Sequence, residues 1–567
     1  MPEVSMVTGT QDTLLDKLKR ERDAANLFQE RRHEAWDEIY RFYRNKTATN
    51  RLTQRQAVYV PLMKETIKTL LSKIDDPPFV DWKELGGEIE KELIMQELWN
   101  DDYEACNYEG VDISDKKNVL LYGRSFKKLD WKNGRVKVNA MDIYDIVIDP
   151  MCDPFDIETA RFIVHQNIFR PLREILADKS YSDDAKEKLK IWKASESGLE
   201  MSDRNKKSFE DKIQRLKSMG VNDSDFATYA GGDVLVNISE HMTEIWDDQA
   251  KKFVRYVCVY ADGSVLLKKR TLKEALGIDY WPYVSWGEDM ETADFWADGP
   301  GDLVRTPNKL INIWFSQMTE NRTLKNFQMH WYDATNQKYS PQVYDPGPGR
   351  MLPAPGNPRE TIMPVEISGL DDTMASIDFV TKLIERGTSA TAIEKGTSER
   401  NQITLGEVQM LVGKATERTV AMAKHYRRSW TELANKWYGL MVANASKSRE
   451  LYKTSSKGKI WPKTIFRKDW ESASGFKPFV RSSSEQEDEK TKGVQRFQFL
   501  ISQFPQNSAL KRIAQKRMLE LVDLTTEEVR EIAEEEKKKI EEVGMMPGLE
   551  QQPMQQLPQI PQAQPTV

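Results

Sequence analysis

The chain has 567 residues, of which 39% are hydrophobic and 30% charged, and its formal net charge is -6. A single hydrophobic core stops growing at roughly 250–300 residues, so this length predicts several packed modules. The small net charge argues against a basic protein that wraps nucleic acid. The cysteines Cys106, Cys152 and Cys258 are odd in number and far apart, which argues against a disulfide framework and favours a reducing compartment.

The N-terminus lacks the apolar stretch of a signal peptide. No run in the chain reaches the roughly 18 apolar residues that a membrane-spanning helix needs. We therefore expect a cytosolic or particle-bound protein that does not enter a membrane.

The first part of the chain changes from helical to strand-like patterns. Residues 11–45 predict a charged amphipathic helix, a second helix follows Pro61, and a third covers roughly 87–118. Short alternating runs within residues 123–169, bounded by Gly, Asn and Asp, predict strands. A lysine-rich helical insertion follows at about 182–219.

The clearest strand pattern lies in the middle of the chain. Three alternating runs, at 233–248, 251–261 and 264–270, are separated by turn residues. This spacing predicts a three-stranded antiparallel meander.

The helical period returns at Gly299, with Pro307 expected in the first turn of the helix, where proline is tolerated. If the helix itself begins near Gly299, a kink is expected at Pro307 instead. Its apolar residues Ile311, Trp314, Phe315 and Met318 have helical spacing. Residues 328–370 are then rich in Pro and Gly, too broken by proline for a central strand.

A polar loop separates the next two helical patterns. One helix is expected at about 371–386, and the loop that follows ends at Thr404 and Glu407, which form a capping box. The second helix carries an apolar seam over about five heptads, which predicts about 57 Å of helix for about 38 residues. The seam comprises Leu405, Val408, Val412, Ala415, Thr419, Met422, Tyr426, Trp430, Leu433, Trp437 and Leu440.

The C-terminal part of the chain is mixed. Strand-like segments at 464–470 and 477–482 precede a late helix at 526–543. The Pro/Gln-rich tail is expected to be disordered in isolation.

The sequence contains none of the common signatures of a catalytic site. The phosphate-binding spacing of P-loop enzymes is absent, since Lys395 precedes Gly396 in "EKGTS", and no nucleophile-elbow motif occurs. The histidines are scattered, without the spacing of a metal site. They are His33, His165, His241, His330 and His425. We therefore predict that the protein is not an enzyme and binds no metal or cofactor.

Two groups of residues have alternative interpretations. Asp149, Asp153 and Asp156 could supply oxygen ligands to a metal ion, but Asp-Pro pairs at the end of a strand favour a turn. The aromatic residues of the long seam could stack on nucleic acid, but their position among Leu and Val favours a protein core. The lysines of 203–219 are most simply a solvated helix face.

The order of the elements is more informative than any single motif. A β-rich module, a helix, a Pro/Gly-rich excursion, a second helix, a polar loop and a very long helix resemble the portal (head–tail connector) proteins of tailed bacteriophages, most of all the short-tailed type. The resemblance extends over about residues 20–480. It is carried by "LLYGRSFKKLDW", "VNAMDIYDIVIDPMCDPFDIETARFIVHQ", "GPGDLVRTPNKLINIWFSQMTENRTL", "PGPGRMLPAPGNP" and the loop with its two flanking helices.

The resemblance implies an α+β portal fold: a mixed wing domain, a two-helix stem, a small β-containing clip, a long wing helix with a tunnel loop, and a helical crown. The implied boundaries are 1–298 for the wing, 299–327 and 371–387 for the stem helices, 328–370 for the clip, 388–403 for the tunnel loop, 404–484 for the long helix and remaining wing, 485–545 for the crown and 546–567 for a disordered tail.

Two segments are the functional candidates under this resemblance. The tunnel loop, expected to face DNA, comprises Ser389, Thr391, Glu394, Lys395, Thr397, Ser398, Glu399, Arg400 and Asn401. The clip, expected to dock other proteins, comprises Tyr344, Asp345, Pro346, Pro348, Arg350, Pro353 and Pro355. Mixed charge suits a channel that guides a polyanion, because many Lys/Arg–phosphate contacts would grip it. Gly387 and Gly396 are expected to give the loop backbone freedom.

The resemblance also implies partners. They are further copies of the chain in a ring (twelve-fold in the family), double-stranded DNA, the large terminase, tail adaptor proteins, and the major capsid and scaffolding proteins. The implied location is the portal vertex of a virion assembled in the bacterial host cytoplasm. A different head–tail adaptor or scaffold component, or a DNA-packaging enzyme, is the alternative interpretation.

Overall fold

The computed structural model describes residues 11–45, 58–74, 79–194, 235–248, 251–261, 265–326, 330–332, 362–364, 373–388, 405–446, 448–454 and 460–481. The chain divides into two units, Met1–Ser482 and Ser483–Val567, and every described residue belongs to the first. The predicted crown, its late helix and the Pro/Gln-rich tail therefore lie outside the described residues.

Four helices open the described part of the chain. They are α1 (Gln11–Tyr43), α2 (Leu62–Ile74), α3 (Ile89–Ala105) and α4 (Tyr108–Tyr122). The first two confirm the predictions, but the single helix expected at 87–118 is wrong. Asn107 breaks it with a left-handed backbone (φ 54°), and its side chain accepts a hydrogen bond from the N–H of Gly110 to cap α4. Asn tolerates this conformation because its short polar side chain can bond the nearby backbone.

The strands build small antiparallel sheets around one larger sheet. Before residue 300 they are β1 (Phe79–Glu84), β2 (Arg124–Lys132), β3 (Arg135–Ala140), β4 (Ile146–Ile148), β5 (Phe162–Pro171), β6 (Leu235–Asp247), β7 (Lys252–Ala261), β8 (Val265–Thr271), β9 (Tyr283–Gly287), β10 (Asp289–Glu291) and β11 (Asp294–Asp298). The five-stranded sheet has the order β4-β5-β6-β7-β8, and β6, β7 and β8 are the predicted meander.

Short helices lie between these strands. They are a 3-10 turn (Ile157–Thr159), α5 (Leu172–Ala177), α6 (Asp183–Ala194) and α7 (Leu272–Leu276). Helix α6 is the start of the predicted lysine-rich insertion, whose residues 195–219 lie outside the described ranges.

Long helices dominate the rest of the described chain. They are α8 (Pro300–Asn326), α9 (Thr373–Thr388) and α10 (Leu405–Asn444), with the short α11 (Arg467–Trp470). The accompanying strands are β12 (His330–Tyr332), β13 (Ile362–Pro364), β14 (Ser448–Thr454), β15 (Ile460–Phe466) and β16 (Phe476–Arg481), the last of which pairs with β1.

Helix α8 begins at Pro300, one residue from the implied start of the stem helix at Gly299. Pro307 therefore lies inside the helix rather than in its first turn, which corrects that expectation. Proline has no N–H, so the carbonyl of Leu303 loses its usual donor within the helix.

The end of α4 and the start of α8 approach each other very closely. A Cβ added at Gly123, which has φ +81°, would collide with the carbonyl oxygen of Ala297, and one at Gly301 would collide with that of Leu121. Only glycine fits both positions, because the obstacle is backbone in each case.

The core is rich in tryptophan and centred on α10. The rings of Trp82, Trp99 and Trp437 pack with centroids 5.2–5.9 Å apart. All six seam residues of α10 whose side chains are described are buried, which confirms that this seam is core. They are Met422, Tyr426, Trp430, Leu433, Trp437 and Leu440.

Candidate subunit-contact and channel-support surfaces

Helices α8 and α9 pack on each other through apolar faces. Val304 and Ile311 of α8 are buried, as are Ile377, Val380 and Ile384 of α9. These residues recur at helical spacing, so each helix has one buried apolar stripe.

The outer faces of the same two helices are apolar as well. Six large side chains there are between 38% and 60% exposed. They are Leu303, Leu310 and Ile313 on α8, and Met374, Phe379 and Leu383 on α9. Exposed apolar side chains grouped in this way mark an interaction site. We call these six residues the helix-pair surface.

The C-terminal half of α10 is held by buried ionic contacts. The Lys127 ammonium on β2 lies 2.5 Å from the Asp115 carboxylate on α4 and donates to the Ser429 hydroxyl of α10 at 3.0 Å. Trp286 donates its ring N–H to the same carboxylate at 2.8 Å. Lys127 and Asp115 are fully buried, so each compensates the charge of the other.

A second contact lies one turn earlier on α10. The Tyr426 hydroxyl donates to Asp112 at 2.6 Å, and Lys116 pairs with the other carboxylate oxygen at 2.7 Å. Burial, together with the Asp112 carboxylate, raises the pKa of Tyr426 far above its usual range. The phenol therefore remains a neutral donor at any physiological pH.

Further contacts fix the end of α10. The Trp437 ring N–H donates to Asp102 at 3.0 Å, and Asp102 also pairs with Arg449, just beyond the helix. Lys436 reaches Glu158 at 2.7 Å and the carbonyl of Tyr283 at 2.6 Å. Residues 426–449 therefore form a rigid base from which the N-terminal half of α10 extends.

The sequence did not reveal this ionic base. Lys116 and Lys127 each stand beside another lysine in the sequence, and such lysines are common on solvated faces. The helix-pair surface was also missed, because apolar periodicity does not show which of two apolar faces lacks a cover.

The predicted tunnel-loop and clip residues lie outside the described residues, whereas their flanks lie within them. The strands on either side of residues 333–361 pair antiparallel, with His330 opposite Pro364 and Tyr332 opposite Ile362. The two strands that flank this segment therefore lie side by side. Helix α9 extends through Thr388, so Gly387 lies in its last turn and not in a loop as expected.

The aspartates near residue 150 form a turn, which confirms that interpretation. Asp149, Asp153 and Asp156 each accept a hydrogen bond from the backbone N–H two residues on, at 2.9–3.1 Å. In the part of the chain that the structure describes, no group of His, Cys, Asp and Glu side chains is arranged to hold a metal ion. Over the same residues, no helix combines the length and apolar character that crossing a membrane requires.

Comparison with known proteins gives one match that spans the chain. The model of the family described as phage SU10 portal protein matches residues 25–566. No curated protein matches.

Two solved structures are similar at low identity. One is a chain of the "virion of native gene transfer agent (GTA) particle", with 8% identity, a TM-score of 0.36, and coverage of 83% of this chain and 90% of that chain. The other is from the "neck of empty GTA particle computed with C6 symmetry", with 7% identity, a TM-score of 0.34, and coverage of 77% and 86%. Since the family match covers nearly every residue, this chain belongs to the phage SU10 portal protein family and is a structural component of a virion.

Proposed function

We propose that copies of this chain close into a ring, twelve-fold as in the portals it resembles, at one vertex of the capsid. Double-stranded DNA passes along the ring axis during packaging and ejection. The observation that carries this proposal is the helix-pair surface, six large apolar side chains that the described residues leave exposed.

A ring provides that cover in a simple way. Each subunit of a cyclic assembly contacts one neighbour on each side through two different surfaces, so α8 and α9 can each face another copy. Burying a large apolar side chain contributes about 1.5–3 kcal/mol. Partial burial of six per subunit is enough to offset much of the roughly 4–15 kcal/mol that association costs.

We assign residues 389–402 to the narrowest part of the channel. The rigid base of α10 supports this assignment, because a loop that touches moving DNA needs a fixed support behind it. Glu394, Lys395, Glu399 and Arg400 balance each other in charge, so the loop contacts phosphates without gripping them. The channel radius along the ring axis tests the assignment, since loops on the outer rim would overturn it.

We assign residues 328–365 to the docking of the terminase and then of the tail adaptors. The β12–β13 pairing supports this assignment, because it holds the residues on either side of the segment next to each other. Deleting "PGPGRMLPAPG" is expected to leave rings intact and to abolish DNA packaging. Packaging at the level of the intact chain would show that the docking surface lies elsewhere.

The remaining roles follow from the portal assignment. The wing, within 1–298 and 404–484, contacts the capsid and scaffold, and assembly occurs in the cytoplasm of the bacterial host. The protein itself has no catalytic role, so purified material should show neither ATPase nor nuclease activity.

Electron microscopy of the purified protein tests the proposal as a whole. We expect closed rings of twelve copies with a central opening wide enough for a double helix. A monomer at every concentration, or a closed ring too narrow for duplex DNA, would overturn it.

A further inference from the structure

One edge of the five-stranded sheet is strongly positive. Strand β8 is the last strand on that side, and it carries Lys268, Lys269 and Arg270 in succession. Lys269 and Arg270 are exposed and have no ion-pair partner among the described residues, whereas Lys268 is half-buried and feels the charges of Glu240 and Asp178. Their side chains alternate between the two faces of this edge strand, and Lys269 lies 5.2 Å from the ring centre of Tyr256. We call these three residues the basic strand patch.

A second, distinct patch is negative. The β10–β11 hairpin and the residue before it carry Glu288, Asp289 and Glu291, which we call the acidic hairpin patch. Asp289 and Glu291 are exposed and have no cation partner in the described ranges. A carboxylate oxygen of Glu288 is buried without a hydrogen-bond partner there. Negative charge is therefore in excess at this hairpin.

The two patches lie beside different parts of α1. Near its N-terminus, Leu14 and Leu15 pack against the same small cluster (Leu18, Cys258 and Tyr260) as Tyr256 and Leu266 of β7 and β8, the strands at the basic strand patch. Eighteen residues later, Arg32 pairs with Asp294 and Asp298 on β11, beside the acidic hairpin patch. Eighteen residues of helix span roughly 27 Å. This exceeds the Debye length of about 8 Å, so the patches do not neutralise each other within one subunit.

We propose that the basic strand patch of one subunit contacts the acidic hairpin patch of the next copy around the ring. This inference rests on the proposed ring and adds a second contact to it, in the sheet region. Cyclic rings join two different surfaces of the chain, and two separate patches of opposite charge meet that requirement. Contacts between like patches are repulsive, so the same charges exclude head-to-head pairing.

This contact differs physically from the one at the helix-pair surface. Exposed ion pairs contribute little each and weaken as salt screens them, whereas apolar burial does not weaken with salt. The charged patches therefore select the correct neighbour and register, and the helix-pair surface supplies most of the binding. Ring stability should consequently fall as the salt concentration rises.

Charge reversal of each patch tests the contact. One variant carries Lys268→Glu, Lys269→Glu and Arg270→Glu, and the other carries Asp289→Lys and Glu291→Lys. Each variant alone should need about tenfold more protein than the wild type to reach half assembly, as measured by mass photometry at low salt. A control with Lys68→Glu, Lys468→Glu and Lys477→Glu changes three exposed lysines outside both patches and should assemble like the wild type.

Mixing the two charge-reversed variants is the decisive test of the charged contact. One variant is negative at both patches and the other is positive at both, so only a ring in which they alternate pairs opposite charges at every contact. We expect the mixture to assemble like the wild type, with equal amounts of the two chains by native mass spectrometry.

Two other outcomes would each have a clear meaning. Wild-type-like assembly of both separate variants, or a mixture no better than its components, would overturn the charged contact and leave the ring standing. A wild-type chain that forms no ring at any salt concentration would overturn the ring proposal as well.

Discussion

At the scale of single residues, the core tolerates the buried charges of Lys127 and Asp115 because they pair with each other. Lys127 has no exposed surface, yet it contacts a carboxylate and a hydroxyl from two different helices. Such pairs stabilise a fold only weakly overall, since desolvation offsets their attraction, but the loss of one partner is costly. Their main effect here is to fix the position of α10 relative to α4 and β2.

Replacing Lys127 with Met should therefore destabilise the protein strongly. The substitution keeps the apolar stem but leaves the Asp115 carboxylate buried without a counter-charge, which we expect to cost about 3–5 kcal/mol in urea unfolding. The double variant Lys127→Met/Asp115→Asn should recover a large part of this loss, because the orphaned charge is gone. Lys68→Met, at an exposed position, is the matched control. A cost below about 1 kcal/mol for Lys127→Met would show that the buried pair is not needed.

A second residue-scale prediction concerns pH. Burial, and secondarily the neighbouring Asp289, raises the pKa of Glu288 to about 7 from its ordinary 4.5. The folded state then holds a proton that the unfolded state releases between these values, so this residue's contribution to stability is complete below pH 4.5 and is lost as pH rises to about 7.

The variant Glu288→Gln tests this directly. It stays neutral at every pH, so it should match the wild type near pH 4.5 and exceed it in unfolding free energy near pH 8. Unfolding curves at a fixed protein concentration across this pH range would measure the difference. Parallel pH profiles for the two proteins would contradict the assigned pKa.

At the scale of elements, the local sequence pattern predicted much of the fold. It failed where single residues or distant contacts determine where an element begins, ends or packs. The meander β6–β8 and helices α1 and α2 follow directly from apolar period and turn residues. The break between α3 and α4 depends on a left-handed Asn107, which no period reveals.

The candidate surfaces, too, were predicted only in part from the sequence. The apolar spacing of α9 predicted a helix but could not show that Phe379 and Leu383 would lie on an uncovered face. The ionic base of α10 joins residues more than 300 positions apart in sequence, such as Lys127 and Ser429. No window of sequence contains both partners. The roles of the tunnel loop and the clip stay predictions.

Alanine substitutions of two glycines near helix ends should change the stability of the protein in opposite directions. Gly301→Ala places a methyl group against the carbonyl of Leu121, where only a backbone shift can relieve the clash. We expect a loss of about 1–3 kcal/mol, as for overpacked cores. Gly387→Ala meets no described atom within 4 Å and lies inside α9, so it should gain up to about 1 kcal/mol from helix propensity.

Thermal unfolding of the two variants at equal concentration would compare them. The Tm should fall for Gly301→Ala and rise for Gly387→Ala. If Gly301→Ala unfolded at the wild-type temperature, the close approach of α4 and α8 would be wrong.

At the scale of the whole molecule, the proposed ring uses two kinds of surface for assembly. The helix-pair surface is apolar and lies on α8 and α9, whereas the charged patches lie on the sheet and the β10–β11 hairpin. A portal must stay closed while DNA moves through it, and it must also assemble with one orientation and copy number. Apolar burial suits the first requirement, and paired opposite charges suit the second.

The helix-pair surface can be tested without disturbing the fold of the subunit. The double variant Phe379→Ser/Leu383→Ser changes two side chains that are about half exposed in the single chain, so its folded content by circular dichroism should match the wild type. Because each side chain is already about half buried, a contact adds roughly half of the 1.5–3 kcal/mol of full burial, so the two losses together raise the concentration for half assembly by roughly ten- to a hundredfold. Sedimentation velocity would detect this as a shift from ring to monomer.

Lys382→Ser is the matched control, because Lys382 lies between the two positions on the same helix and makes only an exposed ion pair with Asp378. We expect it to form rings like the wild type, since exposed pairs of this kind contribute little. If the Phe379→Ser/Leu383→Ser chain also formed rings at wild-type concentration, neighbouring copies would have to meet elsewhere. Conversely, if the control dissociated as fully as the double variant, this face of α9 would act through charge and not through apolar burial.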